Sequence, residues 1–322
     1  MSLEEERAQA IKAEARRVGF DAVGIAAAGD VDPERRYAAW IASGYHADMS
    51  YLADSVEVRP DIRRFVDGAK SVVSLAMSYW DGPEEQRPAR FARYARGTDY
   101  HNVLRRKLRT LRRFMLRLDP GATIGPSIDF APVLERAWAA KAGVAWIGKS
   151  TMALSRDLGT YTFLATVSTT TDLAYDAPAI DHCGTCTACL DACPTQAFVA
   201  PYVLDSRKCI TYWTIEHSGP FPDEAPDLHG WLGGCDVCQE VCPWNKFAQA
   251  TGEARFHGKP ELAAPSILRL VAESEDPALD AAIDSSPLSR IGRAGVRRNA
   301  QRVLAEEIRV DDKAAPVAVE DG

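Results

Sequence analysis

All eight cysteines of this 322-residue chain lie between residues 183 and 242. The first run, CGTCTACLDACP at residues 183–194, has the spacing C-x2-C-x2-C-x3-C-P, and CDVCQEVCP at 235–243 repeats the second half of that pattern. Cys209 stands alone between the two runs. Thiolates at such short intervals can wrap a compact metal centre. In a reducing compartment, a local set of this kind favours a metal site over disulfides.

The spacing separates two kinds of metal site. Zinc ribbons use paired C-x2-C knuckles, whereas C-x2-C-x2-C-x3-C-P is the run of bacterial ferredoxins, in which the fourth cysteine binds the other of two [4Fe-4S] clusters. The run therefore favours two [4Fe-4S] clusters, with two structural zinc ions as the alternative. Using every cysteine once assigns the first cluster to Cys183, Cys186, Cys189 and Cys242. The same rule assigns the second cluster to Cys193, Cys209, Cys235 and Cys238.

The net charge of −7 conceals two basic stretches. Residues 87–117 contain eleven Lys or Arg and one acid, and residues 290–302 contain five Arg and no acid. Basic surfaces on an otherwise acidic body are typical of a protein with one localised polyanion site. The alternative is that the helix predicted over 101–118 is amphipathic and keeps its basic side in solvent.

The elements that must position these groups indicate an α+β fold. Runs rich in apolar and β-branched residues predict strands over 21–28, 71–80 and 161–173. Apolar residues at helical spacing predict helices over 101–118 and 133–143. Strands and helices do not alternate strictly, so an α+β sandwich is favoured over a doubly wound parallel sheet.

The order of these signals predicts four units along the chain. We expect a catalytic domain over 1–178, a cluster module over 179–250, a helical segment over 251–309 and a disordered tail over 310–322. The sequence has no apolar run near the roughly 18 residues that span a bilayer. Its N-terminus has a charged helical pattern without the apolar region of a signal peptide. We therefore expect a cytoplasmic protein, and nothing in the sequence calls for more than a monomer.

Several segments together resemble the epoxyqueuosine reductases, cobalamin-dependent iron–sulfur enzymes of tRNA modification. They are RYARGTDYHNVLRRKL, IDFAPVLERAWAAKAGVAWIGKST, the first cysteine run, and RKCITYWTIEH followed by GCDVCQEVCPWN. The resemblance spans roughly residues 5–305. It implies a cobalamin-binding α/β sandwich domain like those of reductive dehalogenases and nitroreductases. A bacterial ferredoxin-like two-[4Fe-4S] module beside the corrin and a short C-terminal helical segment would complete the chain.

The resemblance also implies the reaction. Such an enzyme removes the epoxide oxygen of epoxyqueuosine at the wobble position of tRNAs with a GUN anticodon, those for Asp, Asn, His and Tyr, and leaves queuosine. Electrons pass from a low-potential donor such as flavodoxin or ferredoxin through the two clusters to cobalamin. The main alternative enzyme is a reductive dehalogenase-like protein acting on a small molecule, which would not need the basic stretches. An electron carrier or a zinc-stabilised interaction module is the alternative of a different class.

By motif position, the resemblance assigns the proton-donor role to Asp129 in IDFAP. A carboxyl group with a pKa raised by desolvation could protonate the leaving oxygen. The alternative is that Asp129 is the N-cap of the helix that follows it.

The resemblance also places candidate corrin-binding residues, each of which could instead be structural. Arg59 could pair with a surface acid, and His101 could cap the basic helix. The candidates are Arg59, Tyr94, Asp99, His101, Asp129, Lys149, Ser150, Thr151, Lys208 and Thr211.

Contacts to tRNA are expected mainly from phosphate-binding arginines. The candidates are Arg105, Arg106, Arg109, Arg112 and Arg113 on one helix and Arg293, Arg297 and Arg298 on another. Trp213 and Trp231 could stack on splayed bases, or they could belong to the core.

Overall fold

The N-terminal half is built on one antiparallel sheet in the computed structural model, which describes residues 1–83, 89–272 and 274–314. The mixture of helices and strands confirms the predicted α+β class. Within the described ranges, no helix combines the length and the apolar character needed to cross a membrane.

The helices are α1 (Leu3–Arg17), α2 (Arg36–Ala42), α3 (Ser50–Ala53), α4 (Arg93–Arg96), α5 (Tyr100–Leu118), α6 (Glu135–Lys141), α7 (Ala188–Asp191), α8 (Val237–Glu240), α9 (Pro260–Ala263), α10 (Ile267–Val271), α11 (Pro277–Asp284) and α12 (Gly292–Ala314). The strands are β1 (Ala22–Ala27), β2 (Ser71–Ser78), β3 (Arg90–Phe91), β4 (Ile124–Ser127), β5 (Trp146–Ile147), β6 (Ala153–Leu154), β7 (Thr162–Thr169), β8 (Phe198–Ala200), β9 (Val203–Leu204) and β10 (Trp231–Gly233).

The main sheet has the strand order β1-β2-β7-β4, and every neighbouring pair is antiparallel. All eight residues of the central strand β2 are buried. The register places Val73 opposite both Ile25 and Val167, so apolar side chains of three strands form one row. Burial on both faces explains why β2 places apolar residues on both sides of the sheet and has only small serines between them.

Helices cover both faces of this sheet. On one face, α1 and α5 pack against the strands, and Leu104 is buried there with Val73. On the other face α6 packs against the strands, and Trp138 is buried there with Val72. The neighbouring residues Val72 and Val73 therefore belong to opposite layers, as the alternation of side chains along a strand requires.

A second core joins segments that are distant in sequence. Phe91 of β3, Trp231 of β10 and Val296 of α12 are all buried in it. β10 pairs in parallel with β3, so the segment between Cys209 and Cys235 is connected to the N-terminal half by backbone hydrogen bonds. The predicted division into units therefore does not follow the hydrophobic cores.

The end of the predicted catalytic domain and the start of the predicted tail both have defined structure. Near the predicted boundary at 178, Asp176 accepts hydrogen bonds from the Ile25 N–H at 2.8 Å and from Lys12 Nζ at 2.5 Å. The expected disordered tail over 310–322 begins as helix, since α12 continues to Ala314. No glycine or proline interrupts the chain from Val296 until residue 316, so nothing in the sequence stops the helix earlier. The rest of the tail, 315–322, lies outside the described residues, as does Arg87 at the start of the first basic stretch.

Candidate active site and cysteine clusters

Asp129 lies in the turn that follows β4. Its backbone φ is 24°, a conformation that costs a non-glycine residue on the order of 1 kcal/mol or more. The turn leaves the Asp129 side chain 54% exposed and Phe130 63% exposed, while Ile128 is buried. α6 begins only at Glu135, with Leu134 as its N-cap, so the interpretation of Asp129 as a helix cap is wrong.

Asp129 is one end of a hydrogen-bonded chain that begins at α5. His101 Nε2 lies 2.6 Å from Asp129 Oδ1, and His101 Nδ1 lies 2.8 Å from Asp99 Oδ1. Asp99 also accepts the His101 backbone N–H at 2.9 Å and is therefore the N-cap of α5, a role that His101 does not have. The Tyr100 hydroxyl donates to Asp129 Oδ2. The imidazole is thus held from both sides, and both oxygens of Asp129 are hydrogen-bonded.

The two carboxylates of this hydrogen-bonded chain keep His101 protonated. Burial opposes the protonation of His101, but its hydrogen bonds to Asp129 and Asp99 prevail and raise its pKa to about 9. Burial also favours a neutral Asp129, but the hydrogen bond and charge of His101, together with the hydrogen bond from Tyr100, lower its pKa. The expectation of a raised pKa at Asp129 is wrong, because its nearest partner is a cation. At neutral pH the pair is an imidazolium and a carboxylate.

Tyr100 is held by ring stacking and was missed by the sequence analysis. Its ring centroid lies 4.3 Å from that of Phe163 and 4.1 Å from that of His101. Burial raises its pKa far above the ordinary value, and the charge of Asp129 adds to the rise. The phenol therefore remains protonated and continues to donate to Asp129. Its position between two predicted site residues was the available signal.

Further charged and hydroxyl side chains from separate segments lie around the hydrogen-bonded chain of Asp99, His101 and Asp129. Together with Asp129, we call them the Asp129 cluster. Arg290 Nη2 donates to Glu216 Oε2 at 2.5 Å, and the Tyr51 hydroxyl donates to the same oxygen at 3.3 Å. The charge of Arg290 also reaches Asp129. The members of the cluster besides Asp129 are Tyr51, Arg59, Glu135, Glu216 and Arg290.

Glu135 is a second residue that the sequence analysis missed. It lies in the first turn of α6, and its Oε1 accepts a hydrogen bond from Ser127 Oγ at 3.0 Å. Burial raises the pKa of Glu135 to about 7, and the charge of Asp129 adds to the rise. Of these two carboxyl groups, the one whose pKa is raised is therefore Glu135, which the sequence analysis did not name. An acid in the first turn of a helix is commonly explained by the helix dipole, which is why sequence alone did not single it out.

The predicted corrin-binding loop contacts the first cysteine run and also α6, the helix that carries Glu135 of the Asp129 cluster. Lys149 Nζ donates to two backbone carbonyl oxygens of the cysteine loop, that of Gly184 at 2.7 Å and that of Cys186 at 2.9 Å. The Thr151 carbonyl accepts a hydrogen bond at 2.5 Å from Arg136, which follows Glu135 in α6. Ser150, between them, is buried.

A second segment makes the corresponding connection for the other cysteines. Lys208 and Thr211 flank Cys209, and burial raises the pKa of the Cys209 thiol against the hydrogen bonds that Thr211 supplies. The chain continues into a π-helical turn, Tyr212–Glu216, whose last residue belongs to the Asp129 cluster.

The remaining two corrin candidates are internal. Arg59 is 8% exposed, and its Nε donates to Ser55 Oγ at 2.7 Å, so it does not pair with a surface acid through that atom. Tyr94 packs against both hydrophobic cores, and burial raises its pKa far above the ordinary value.

The structure brings together the four cysteines predicted to hold the first cluster. Burial raises the pKa of the Cys242 thiol, and the neighbouring thiols of Cys183, Cys189 and Cys186 add to the rise. Cys186 is exposed, whereas the other three are partly buried. This quartet therefore has one ligand at the protein surface.

The four cysteines predicted to hold the second cluster are also neighbours. Burial raises the pKa of the Cys238 thiol well above its ordinary value, and Cys235, Cys209 and Cys193 add to the rise. All four are partly buried. Among the described residues, no three His, Cys, Asp or Glu side chains are spaced to hold a single metal ion.

The two basic stretches differ in how they use their arginines. The α5 candidates, Arg105, Arg106, Arg109, Arg112 and Arg113, are all exposed. In α12, Arg298 donates to the backbone carbonyls of His217, Gly219 and Trp213 at 3.0, 2.9 and 3.1 Å. Arg293 lies 3.8 Å from Asp280. The position of Arg298 does not support a phosphate-binding role, because carbonyls in and just after the π-helical turn already occupy its donors.

The two candidate stacking tryptophans are in the core. Trp213 is 8% exposed and Trp231 is 1% exposed. Trp213 Nε1 donates to the Arg207 carbonyl at 2.8 Å, and the Arg90 guanidinium lies 4.0 Å from the Trp231 ring centroid. The interpretation of these residues as base-stacking is therefore wrong, and the core alternative is correct.

Comparison with known proteins gives two family models that match parts of the chain. Residues 59–129 match Epoxyqueuosine reductase QueG, DUF1730. Residues 182–245 match the 4Fe-4S double cluster binding domain, and this range contains all eight cysteines. The first range contains the hydrogen-bonded chain from Asp99 to Asp129.

Relatives that align along nearly the whole chain decide the family. The epoxyqueuosine reductase of Cellulophaga algicola is 41% identical over 305 residues, which cover 93% of this chain and 98% of the relative. The chain belongs to the epoxyqueuosine reductase family. The epoxyqueuosine reductases of Pseudomonas aeruginosa and Escherichia coli are 41% and 36% identical, each over 91% of this chain and over 83% and 79% of the relative. The protein is therefore a reductase with a double-cluster [4Fe-4S] domain.

Solved epoxyqueuosine reductases have the same fold. A crystal structure of one with a tRNA-Tyr epoxyqueuosine-modified stem loop matches with a TM-score of 0.81 at 30% identity, over 92% of this chain and 80% of that chain. The Bacillus subtilis epoxyqueuosine reductase, with its catalytic loop swung out of the active site, matches with a TM-score of 0.80 at 29% identity over the same shares. These likenesses confirm the resemblance inferred from the sequence motifs.

Proposed function

We propose that the chain removes the epoxide oxygen from epoxyqueuosine at the wobble position of tRNAs with a GUN anticodon and leaves queuosine. The observation that carries this proposal is the pairing of Asp129 with His101, an exposed carboxylate 2.6 Å from an imidazolium within the segment that matches the epoxyqueuosine reductase model. The solved relative that contains a modified tRNA stem loop supports an RNA substrate.

The residues around Asp129 fit cobalamin as the electron-delivering cofactor. A corrin is broad and fringed with amides, so its site needs hydrogen-bonding groups more than net charge, and Tyr51, Arg59 and Thr151 supply such groups. Segment 209–216 runs from Cys209 to Glu216 of the Asp129 cluster, and segment 149–151 contacts the first cysteine loop and α6. Both segments would hold the corrin near the clusters and Asp129. Bound cobalamin would supply the low-potential electrons that open the epoxide.

The cysteine quartets fit two [4Fe-4S] clusters, because each offers four thiols to one cubane. We assign Cys183, Cys186, Cys189 and Cys242 to the first cluster. We assign Cys193, Cys209, Cys235 and Cys238 to the second. A low-potential donor such as flavodoxin or ferredoxin would reduce the first cluster, since its ligand Cys186 is at the surface.

Side chains of this protein supply and transfer the protons that the reaction consumes. Removal of the epoxide oxygen as water consumes two electrons and two protons. When the substrate covers Asp129, the carboxylate loses water, its pKa rises, and it can take the proton from His101 and pass it to the leaving oxygen. Asp99 and Tyr100 keep the imidazole and the carboxylate aligned during this transfer. Glu135, with a pKa of about 7, is our candidate for the source of the second proton.

Replacing the carboxylate tests this proposal. Asp129→Asn keeps the size of the side chain but cannot relay a proton, so we expect turnover of epoxyqueuosine-containing tRNA to fall by about 100-fold or more. Cluster absorbance and bound cobalamin should stay at wild-type values. Asp172→Asn removes an exposed carboxylate paired with Lys70 and serves as the control. Full activity of Asp129→Asn would refute the proton-transfer role.

A further inference from the structure

A groove beside the proposed proton relay combines positive charge with an apolar floor. It has a volume of about 250 Å³ and lies between α5 and the turn that carries Asp129. Arg105, Arg109 and Arg112 line one side of it, and Leu108, Ile128 and Phe130 are among its apolar lining residues. The three arginines follow one another at helical spacing, so their side chains project from the same face of α5.

The guanidinium groups of this groove are available to an anion. The contacts of Arg105 and Arg112 are with uncharged groups, the Asn102 side-chain oxygen and the Ile124 carbonyl, both at 3.4 Å. By contrast, Lys107 on another face of α5 lies 3.3 Å from the Glu253 carboxylate. Among the described residues, no carboxylate forms a salt bridge with Arg105, Arg109 or Arg112, although the charge of Arg105 reaches Asp99. Arginines in such a row fit the phosphates of a nucleic acid strand.

Phe130 gives the groove an aromatic platform. Its ring is 63% exposed, and the Arg105 guanidinium lies 5.9 Å from the ring centroid. An exposed aromatic ring beside cationic side chains is the arrangement on which unpaired bases stack. Phe130 directly follows Asp129, so a base on this ring would neighbour the nucleotide that reacts.

We propose that this groove binds the nucleotide next to the modified one in the single-stranded anticodon loop, with its base stacked on Phe130 and its phosphates held by Arg105, Arg109 and Arg112. The proposal rests on the proposed function, because it takes the reacting nucleotide to lie at Asp129. A small uncharged substrate would fill the apolar floor and leave the arginines without partners.

Binding of an unmodified anticodon stem loop tests the groove separately from the chemistry. With the cluster-loaded full chain and fluorescence anisotropy, Phe130→Ala should raise Kd about tenfold, the expected loss for one stacked base. Phe130→Tyr should restore binding to near the wild-type value. Tyr175→Ala, at another half-exposed aromatic side chain, is the matched control. A stem loop without the neighbouring base should bind wild type and Phe130→Ala equally.

The arginine row has its own readout. Arg109→Ala should lower the slope of log Kd against log salt concentration by about one, the loss of one phosphate contact, whereas Arg117→Ala on the same helix outside the groove should leave it unchanged. An unchanged Kd for Phe130→Ala, or no binding of the stem loop by wild type, would overturn the proposal. If Phe130→Ala weakens binding but wild type does not remove the epoxide oxygen, binding of an anticodon-loop base in the groove stands and the proposed function fails. If the oxygen is removed but Phe130→Ala binds normally, the function stands and the groove fails.

Discussion

Asp99→Asn removes one charge from the proposed proton relay and leaves its geometry in place. The asparagine amide oxygen can still accept from His101 Nδ1 and from the His101 backbone N–H, which Asp99 does now at 2.8 and 2.9 Å. Asparagine caps a helix about as well as aspartate does, so α5 should keep its start. The substitution therefore isolates the electrostatic effect of Asp99 on His101.

The expected size follows from the two carboxylates that act on the imidazole. Against the effect of burial, Asp129 and Asp99 together raise the pKa of His101 from 6.5 to about 9. Loss of one of two adjacent opposite charges should lower that pKa by about one unit. Deprotonation of Glu135 should lower the wild-type single-turnover rate near pH 7. Because His101 is protonated up to about pH 9, a second fall in the rate should begin only above that pH. In Asp99→Asn this fall should begin about one pH unit lower, with little change in rate below neutral pH.

The raised pKa of His101 also makes the stability of the fold depend on pH. Because the folded pKa of His101 is raised, its ion pairs stabilise the fold fully below the unfolded pKa of 6.5, and this contribution is lost as the pH rises through about 9.

The assay for Asp99→Asn is the pH dependence of the single-turnover rate together with an NMR titration of the His101 ring. Asp61→Asn, which caps a short 3₁₀ helix elsewhere, is the matched control. If neither the alkaline limb nor the ring titration moves in Asp99→Asn, the relay is refuted.

Three further outcomes are expected. Gly24→Ala would place a β-carbon 1.9 Å from the Ala142 carbonyl oxygen and should lower the free energy of unfolding by roughly 1–3 kcal/mol. Gly121→Ala, where a β-carbon would have nothing within 4 Å, should change the free energy of unfolding by less than about 0.5 kcal/mol. Equal effects of the two substitutions in denaturant titrations would contradict the packing of α6 on β1. Cys209→Ala should reduce iron from about eight to about four atoms per chain by colorimetric analysis, and undiminished iron would contradict the assignment of the second cluster. Glu135→Gln should slow turnover below about pH 7, where the wild-type carboxyl is protonated, and a rate loss confined to higher pH would exclude Glu135 as an acid.

Features set by local sequence were predictable. The helix over α5 follows from apolar residues three and four positions apart, and Leu104, Leu108, Leu111 and Met115 are among its buried residues, whereas Leu118 at its end is only partly buried. β2 was predicted from a run of apolar and β-branched residues. Within each cysteine run, the short spacings likewise determine which thiols can meet, whereas Cys209 and Cys242 join their quartets from distant parts of the sequence.

Features set by long-range contacts were not predictable in the same way. Asp129 and His101 are 28 residues apart, and only the fold brings a cation to the carboxylate. Desolvation alone would have raised the pKa of Asp129, which is the effect that the sequence argument used. The predictions of phosphate binding by Arg298 and base stacking by Trp231 were wrong for a related reason. An arginine or a tryptophan has the same chemistry at a surface and in the interior. Which environment each receives depends on packing between distant segments.

The central claim is that this chain delivers two electrons to an epoxide on tRNA. The decisive measurement is anaerobic incubation of the cluster-reconstituted protein with cobalamin, a strong reductant and tRNA carrying epoxyqueuosine, followed by mass spectrometry of the digested nucleosides. We predict that the modified nucleoside loses one oxygen atom and that the loss depends on added cobalamin. An unchanged nucleoside mass, with both clusters and cobalamin shown to be bound, would contradict the claim.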